Sequence, residues 1–126
     1  SLFTGPVHAL YDYNRCGLGC AVARLVVPAF APILTGPGFA DDPHRNLGYG
    51  FRMLGDLCMR GGEPALSLQC HALSVACGDN AFRRSRAIEA AHAAGDRAAL
   101  DMHRNAYAAQ WDLPETLAAL KIGGSK

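Results

Sequence analysis

Charge of either sign is scarce in this sequence. Twelve lysines and arginines are balanced by eleven aspartates and glutamates over 126 residues, which leaves a net charge of +1. A protein this close to neutrality has no overall field that would attract nucleic acid or an anionic membrane surface. The one basic cluster, Arg83, Arg84 and Arg86, lacks the further basic residues that a nucleic-acid site requires. We therefore expect no nucleic acid and no membrane among the partners.

Long unbroken apolar runs are missing as well. The longest apolar stretch, Ala21 to Leu34, is interrupted by Arg24, Pro28 and Pro32. A membrane-spanning helix needs about 20 consecutive apolar residues, so we expect this stretch to be too short and too broken to cross a bilayer. No secretory signal is recognisable, and a cytoplasmic location is the expectation.

The chain has five cysteines, but they do not follow the spacing that is typical of metal ligands. No CxxC or CxxH pair occurs; Cys16 and Cys20 are four residues apart, and Cys70 and Cys77 are seven apart. Thiolates at these spacings share a helix face and, together with histidine and methionine, would suit copper(I) or zinc. Buried free thiols that pack as small hydrophobic groups are the favoured interpretation. We expect no metal and no cofactor.

Helical periodicity organises residues 46–94. Gly61-Gly62 is expected to end a first helix, Glu63-Pro64 to begin a second, and Asn80 to cap a third. The predicted buried stripe of the first helix is Leu47, Phe51, Leu54 and Cys58. That of the second is Ala65, Leu68, Ala72, Val75 and Ala76, and that of the third is Ala81, Arg84, Ile88, Ala91 and Ala94.

The flanking segments are predicted to be helical too. A helix should start at Thr4 to Pro6, bend or break at the glycines of CGLGC (residues 16–20), and stop at Pro28 and Pro32. Residues 35–45 are predicted to form a loop. We expect Phe39 in this loop to pack against the core. After the central helices, Asp96 should cap a helix, and an Asp112-x-x-Glu115 capping box should open the last one. The expected buried stripes are Ala99, Met102, Ala106 and Tyr107, and then Leu117 and Leu120.

The resulting fold prediction is all-α. Six or seven short helices form antiparallel helical hairpins, repeat-like or in a compact bundle, within a single domain of residues 1–126. Its parts are an N-terminal helix and turn (1–34), a loop (35–45), the helical hairpins (46–121) and a tail (122–126).

Part of the hairpin region resembles the Sel1-like repeat, a relative of the tetratricopeptide repeat. The order of that motif is followed by Leu54-Gly55, Cys58, Gly61, Ala65, Cys70, Ala72 and Gly78. Cysteines 58 and 70 replace the usual aromatic residues, and a second, partial copy begins near Ala87. The resemblance implies stacked helical hairpins with a face that binds a peptide or protein partner.

We accordingly predict an adaptor domain for protein–protein interaction. The expected partner-binding residues are Tyr49, Arg52, Gln69, Arg83 and Arg86, polar positions outside the apolar stripes. Their arginines would pair with carboxylates of the partner. The first helix has more apolar residues than one small core requires, among them Val22, Leu25 and Val26. A homo-oligomer formed through this helix is therefore also expected as a possible arrangement.

The alternative is a small helical enzyme, or a ligand-binding or soft-metal-binding protein, with a pocket between the N-terminal helix and the hairpins. Its candidate residues are Tyr11, Tyr13, His71, His92 and Asp96. No serine or cysteine accompanies a recognisable base and orienting group, so no catalytic residue is assigned and the enzyme is less favoured. The GLGC segment lacks the third glycine and the preceding strand of a dinucleotide site.

Overall fold

A computed structural model of the chain describes residues 2–42 and 46–123, and throughout these ranges the regular structure is helical. The all-α prediction is confirmed. Residues 43–45 of the predicted loop and 124–126 of the predicted tail lie outside the described ranges. The described part contains seven helices, α1 (Thr4–Asp12), α2 (Cys16–Leu34), α3 (Leu47–Arg60), α4 (Pro64–Cys77), α5 (Ala81–Ala93), α6 (Arg97–Ala108) and α7 (Glu115–Ala118).

The helices pack in two layers. Each helix from α1 to α5 contacts the next in the chain, and α3 against α4 is the most extensive pairing. In addition α1 contacts α3, α3 contacts α5 and α5 contacts α7, so that these four form one layer. The second layer is the pair α2 and α4. Residues of α1, α3 and α5 can therefore share one surface.

Two apolar clusters form the core. The first joins α1 to α4 around the rings of Phe3, Phe30 and Phe51, whose centroids are 5.0 to 5.7 Å apart. Phe39 packs against this cluster, as predicted. The second cluster includes Ile88 and Leu100 and holds the C-terminal helices together.

The N-terminal helices break and end at positions other than those predicted. The chain breaks between α1 and α2 at residues 13–15, where Asn14 adopts a positive φ of 52°. The CGLGC glycines lie inside α2, and Gly19 packs closely on Leu57 of α3. Pro28 and Pro32 also lie inside α2, which continues to Leu34. Both prolines are exposed, so the carbonyls that lose their backbone donors lie on the solvent side.

By length and composition alone, α2 could cross a membrane. It has 19 residues, five more than the stretch Ala21 to Leu34 considered above, and a mean hydropathy of 1.8. Five of its residues, including Cys20, Ala23 and Val27, are nevertheless buried within the protein.

The buried stripe of α4 is polar rather than alanine-rich. Its buried residues are Ser67, Cys70, His71, Leu73 and Ser74. None of the predicted stripe is fully buried, since Ala65 and Ala76 are exposed and Leu68, Ala72 and Val75 are partly exposed. The Ser67 hydroxyl donates to the Gly55 carbonyl and the Ser74 hydroxyl to the Gly48 carbonyl, both at 2.7 Å. Burying these groups is possible because each finds a backbone acceptor on α3.

The caps of α5 and α6 are confirmed. Asn80 Oδ1 accepts a hydrogen bond from the Arg83 amide at 2.7 Å, and Asp96 Oδ1 accepts one from the Ala99 amide at 3.0 Å. The buried residues of α6 are Leu100, His103 and Tyr107, and Met102 of the predicted stripe is 51% exposed.

The predicted capping box of α7 does not form. Pro114 is extended (φ −60°, ψ 144°), so the helix begins only at Glu115 and has no side-chain cap at its start. Its carboxyl end is instead held by Arg104 of α6. One guanidinium nitrogen, Nη1, donates to the carbonyls of Leu117, Ala118 and Leu120 at 3.2, 3.0 and 2.8 Å.

Candidate functional site

A cleft of about 290 Å³ lies between α3, α4 and α5. Its lining is unusually rich in ionisable side chains for a protein with so little charge. The residues that line it are Asp56, Met59, Arg60, His71, Arg86 and Glu89.

Asp56 is the buried centre of this cleft. Its side chain is 8% exposed, and Oδ2 accepts a 2.5 Å hydrogen bond from Arg52 Nη1, one helical turn away. Its other oxygen, Oδ1, lies 3.5 Å from His71 Nε2 and 3.6 Å from Arg86 Nε. A buried carboxylate needs such partners, so Asp56 ties α3 to α4 and α5.

Aromatic rings hold the arginines around the cleft. The Arg52 guanidinium carbon lies 5.1 to 5.4 Å from the ring centroids of Tyr11, Tyr49 and Phe82. These distances are within the range of cation–π attraction. The same holds for Arg60 over Tyr11, at 4.8 Å, and Arg86 over Phe82, at 4.9 Å. We call the set Tyr11, Tyr49, Arg52, Arg60, Phe82 and Arg86 the arginine–aromatic face.

The arginine–aromatic face spans the layer made by α1, α3 and α5. Arg60 Nη2 donates to the Tyr11 hydroxyl at 3.2 Å, which links the first helix to the third. Hydrogen bonding from Arg52 and Arg60 lowers the pKa of Tyr11, because it favours the phenolate over the phenol. The rings and guanidinium groups are thus restrained by contacts within the protein.

His71 contributes no positive charge to the cleft near neutral pH. It is 1% exposed, and burial lowers its pKa to about 4, with the charges of Arg86 and Arg52 acting in the same direction. The buried atoms His71 Nδ1 and Arg86 Nε have no hydrogen-bond partner among the residues that the structure describes. Part of the polar lining is therefore left unsatisfied.

The arginines of the face outnumber the carboxylates beside them. Arg52 pairs with Asp56, and Arg86 lies 3.3 Å from Glu89. Arg60 instead donates to neutral acceptors, Asn14 Oδ1 at 3.1 Å and the Tyr11 hydroxyl. Across residues 2–42 and 46–123 it forms no salt bridge. One positive charge therefore lacks an acidic partner.

Three of the five predicted partner-binding residues meet at this face, namely Tyr49, Arg52 and Arg86. Arg83 does not reach it. Its guanidinium lies against the glycine of α3 at position 48 and donates to the carbonyls of Ser74 and Gly78 at 3.3 and 2.9 Å, at the end of α4. This short approach is possible because Gly48 has no side chain.

The fifth predicted residue, Gln69, lies elsewhere. It lines a second groove of about 430 Å³, next to the ion pair between Arg24 and Glu63. Sequence reasoning also missed Asp56, Arg60, Phe82 and Glu89. A signal for Asp56 and Arg60 was present, since opposite charges four residues apart recur along α3 at positions 52, 56 and 60.

The candidates for the alternative pocket do not converge. Tyr11 and His71 lie at the arginine–aromatic face and in the cleft. Tyr13 is 79% exposed, and Asp96 caps α6. His92 Nε2 lies 2.9 Å from the Lys121 carbonyl.

Three cysteines come together in the first core cluster. Cys20, Cys58 and Cys70 belong to α2, α3 and α4, and all are buried. Burial raises the pKa of Cys20 to about 12, and hydrogen bonding with Cys70 raises the pKa of Cys58. Within the part of the chain that the structure describes, no group of three or more His, Cys, Asp or Glu residues is arranged to hold a metal ion.

No family model, no curated protein and no solved structure matches this chain. Its contacts, charges and burial are therefore the basis for a functional proposal.

Proposed function

We propose that the protein is a partner-binding domain of stacked helical hairpins, and that the arginine–aromatic face binds an acidic segment of a protein partner. The observation that carries this proposal is the unneutralised charge of Arg60. Its guanidinium is held by Tyr11 and Asn14 beside an open cleft, yet no carboxylate neutralises it within the described residues.

The layered arrangement supports the hairpin-repeat interpretation. In arrays of helical hairpins each unit contacts its neighbours, so that the first helices of successive units lie side by side. The contacts of α1 with α3, of α3 with α5 and of α5 with α7 follow that order. The Leu54-Gly55 pair of the Sel1-like motif lies where α3 meets α4, with Gly55 directly beneath His71.

The chemistry of the face suits carboxylates. Guanidinium groups bind carboxylates through two parallel hydrogen bonds, and restraint by aromatic rings lowers the entropy lost on binding. Arg60 and Arg86 both line the cleft, so one acidic side chain could lie between them. Asp56 and Glu89 limit the positive excess, which favours a carboxylate over a more highly charged group.

The ligand-pocket alternative has weaker support. The cleft, at about 290 Å³, is at the lower limit of pockets that enclose small molecules, which run from about 300 Å³ upwards. A single side chain of a partner matches this volume better than a whole ligand does.

A titration with matched peptides tests the proposal. A fluorescent peptide in which glutamate alternates with glycine should bind, and the same peptide with glutamine should bind at least tenfold more weakly, because the charged hydrogen bonds are lost. Arg60→Gln should weaken binding of the glutamate peptide by about tenfold, and added salt should weaken it further.

The exposed Lys121, which lines a separate groove beside α6, provides a control. Lys121→Gln also removes one positive charge and should leave the affinity unchanged. Equal binding of the glutamate and glutamine peptides, or unchanged binding by Arg60→Gln, would overturn the proposal.

A further inference from the structure

The outward surface of α2 is an apolar stripe. Leu18 is 47% exposed, Leu25 is 75% exposed and Ile33 is 60% exposed. Ala29 is exposed, and Val22 is partly exposed and also packs against the first core cluster. With these two, the residues recur at intervals of three or four, which places them along one side of the helix. We call the set Leu18, Val22, Leu25, Ala29 and Ile33 the α2 stripe.

This stripe lies at the edge of a layer, where polar residues are expected. The end of a helical stack needs a polar outer surface, because nothing else covers it in water. The only charged residue of α2 is Arg24, and Glu63 binds it at 2.7 Å. The α2 stripe itself is therefore uncharged.

We infer that a second copy of this chain covers the α2 stripe, with the two α2 helices antiparallel about a two-fold axis. The order of side chains along the stripe is close to palindromic. Antiparallel pairing places Leu18 of one copy against Ile33 of the other and Val22 against Ala29. It also brings the two Leu25 side chains together near the axis. A neutral, self-complementary surface is what a two-fold interface requires.

The packing of α2 argues against a membrane as the covering partner. Cys20, Ala23 and Val27 are buried between α2 and the rest of the protein, and a bilayer-spanning α2 would remove them from that core. A helix lying on a membrane surface commonly has a polar face rich in lysine and arginine, whereas α2 has Arg24 alone.

The size of the stripe predicts a weak dimer. A helix of 19 residues is about 28 Å long, and half of its surface is about 500 Å² per copy. The two copies together would bury about 1,000 Å², at the lower limit of specific interfaces. A dissociation constant in the micromolar range is expected.

Sedimentation velocity from low to several hundred micromolar protein tests the dimer. The wild type should pass from monomer to dimer, and Leu25→Glu should raise the dissociation constant by at least tenfold. Met102→Glu, at a residue 51% exposed on α6, is the matched control and should leave dimerisation unchanged. Circular dichroism should show that both variants stay folded, since neither residue is buried.

The antiparallel arrangement has its own test. Leu18→Glu and Ile33→Lys should each weaken the dimer. Combined in one chain, they should restore it, because antiparallel helices place each glutamate against a lysine. A chain that stays monomeric at all concentrations, or a dimer insensitive to Leu25→Glu, would overturn the inference. So would monomers that bind phosphatidylcholine vesicles through Leu25, since the stripe would then be a membrane surface.

Discussion

The imidazole of His71 lies directly over the α-carbon of Gly55, where α4 crosses α3. A Cβ added at Gly55 would come within 2.5 Å of His71 Nε2, a distance that real Cβ atoms do not show. His71 is itself 1% exposed and lies against Asp56, so it has little room to move away. The absence of a side chain at position 55 thus sets how closely the two helices approach.

Gly55→Ala should therefore destabilise the protein. Overpacking of a close interface costs about 1–3 kcal/mol, which outweighs the gain of up to about 1 kcal/mol from replacing glycine in a helix. Gly17→Ala is the control, because a Cβ there would meet nothing within 4 Å. Urea unfolding should show a loss for the first variant and none for the second. Equal stability of the two would contradict the close packing of His71.

Stability should fall as the solution becomes mildly acidic. Burial lowers the pKa of His71 from 6.5 to about 4, and burial followed by the charge of Arg84 lowers the pKa of His103 likewise. Between pH 6.5 and about pH 4 these histidines bind protons in the unfolded chain but not in the folded chain. The free energy of unfolding therefore decreases as pH falls through this range. For His71 the loss in free energy of unfolding should approach about 3 kcal/mol near pH 4.

Urea unfolding across this pH range measures the effect of the two histidines. A variant with both His71→Gln and His103→Gln should show a flatter dependence, even if it is less stable at neutral pH. A wild-type free energy of unfolding that stays constant down to about pH 4 would show that these histidines are not buried as described.

The helix caps provide a second comparison of stability. Asn80→Ala and Asp96→Ala each remove an observed cap of an amide nitrogen and should cost about 1 kcal/mol. Asp112→Ala should change the free energy of unfolding by less than about 0.5 kcal/mol, because α7 has no side-chain cap. A cost for Asp112→Ala equal to the other two would mean that the capping box forms in solution.

The cysteines should fall into three groups in their reactivity. Cys16 is partly exposed and should react first with a thiol reagent. Cys77 should follow slowly, because burial raises its pKa to about 11 and keeps it protonated. Cys20, Cys58 and Cys70 should react only after unfolding. Counting thiols before and after adding denaturant checks this order, and stoichiometric metal in purified protein would contradict it.

Much of the fold could be predicted from local signals. Asn80 and Asp96 act through amides three residues away, and Gly61-Gly62 ends α3 within one turn, so the sequence alone contains these interactions. The stripe Leu47, Phe51, Leu54 and Cys58 is buried as its periodicity predicts. These features depend on few residues and on no distant contact.

Polar burial could not be predicted in this way. Ser67 and Ser74 are buried because backbone carbonyls of α3 accept their hydrogen bonds, and this depends on how α3 and α4 pack. The hydrophobic pattern assigned the interior of α4 to Ala65, Leu68, Ala72, Val75 and Ala76 instead. The same limit applies to the candidate site, where Tyr11 and Arg60 are 49 residues apart and meet only in the folded chain.

Arg104 of α6 determines how the short helix α7 is held in place. A helix of four residues is too short to persist alone, since forming the first turn costs more than one hydrogen bond returns. Three carbonyl oxygens of this turn nevertheless share a single guanidinium nitrogen of α6. Backbone amides of the last turn should therefore exchange hydrogen together with those of α6, as one cooperative unit joined by Arg104 and by the burial of Leu117 in the second cluster.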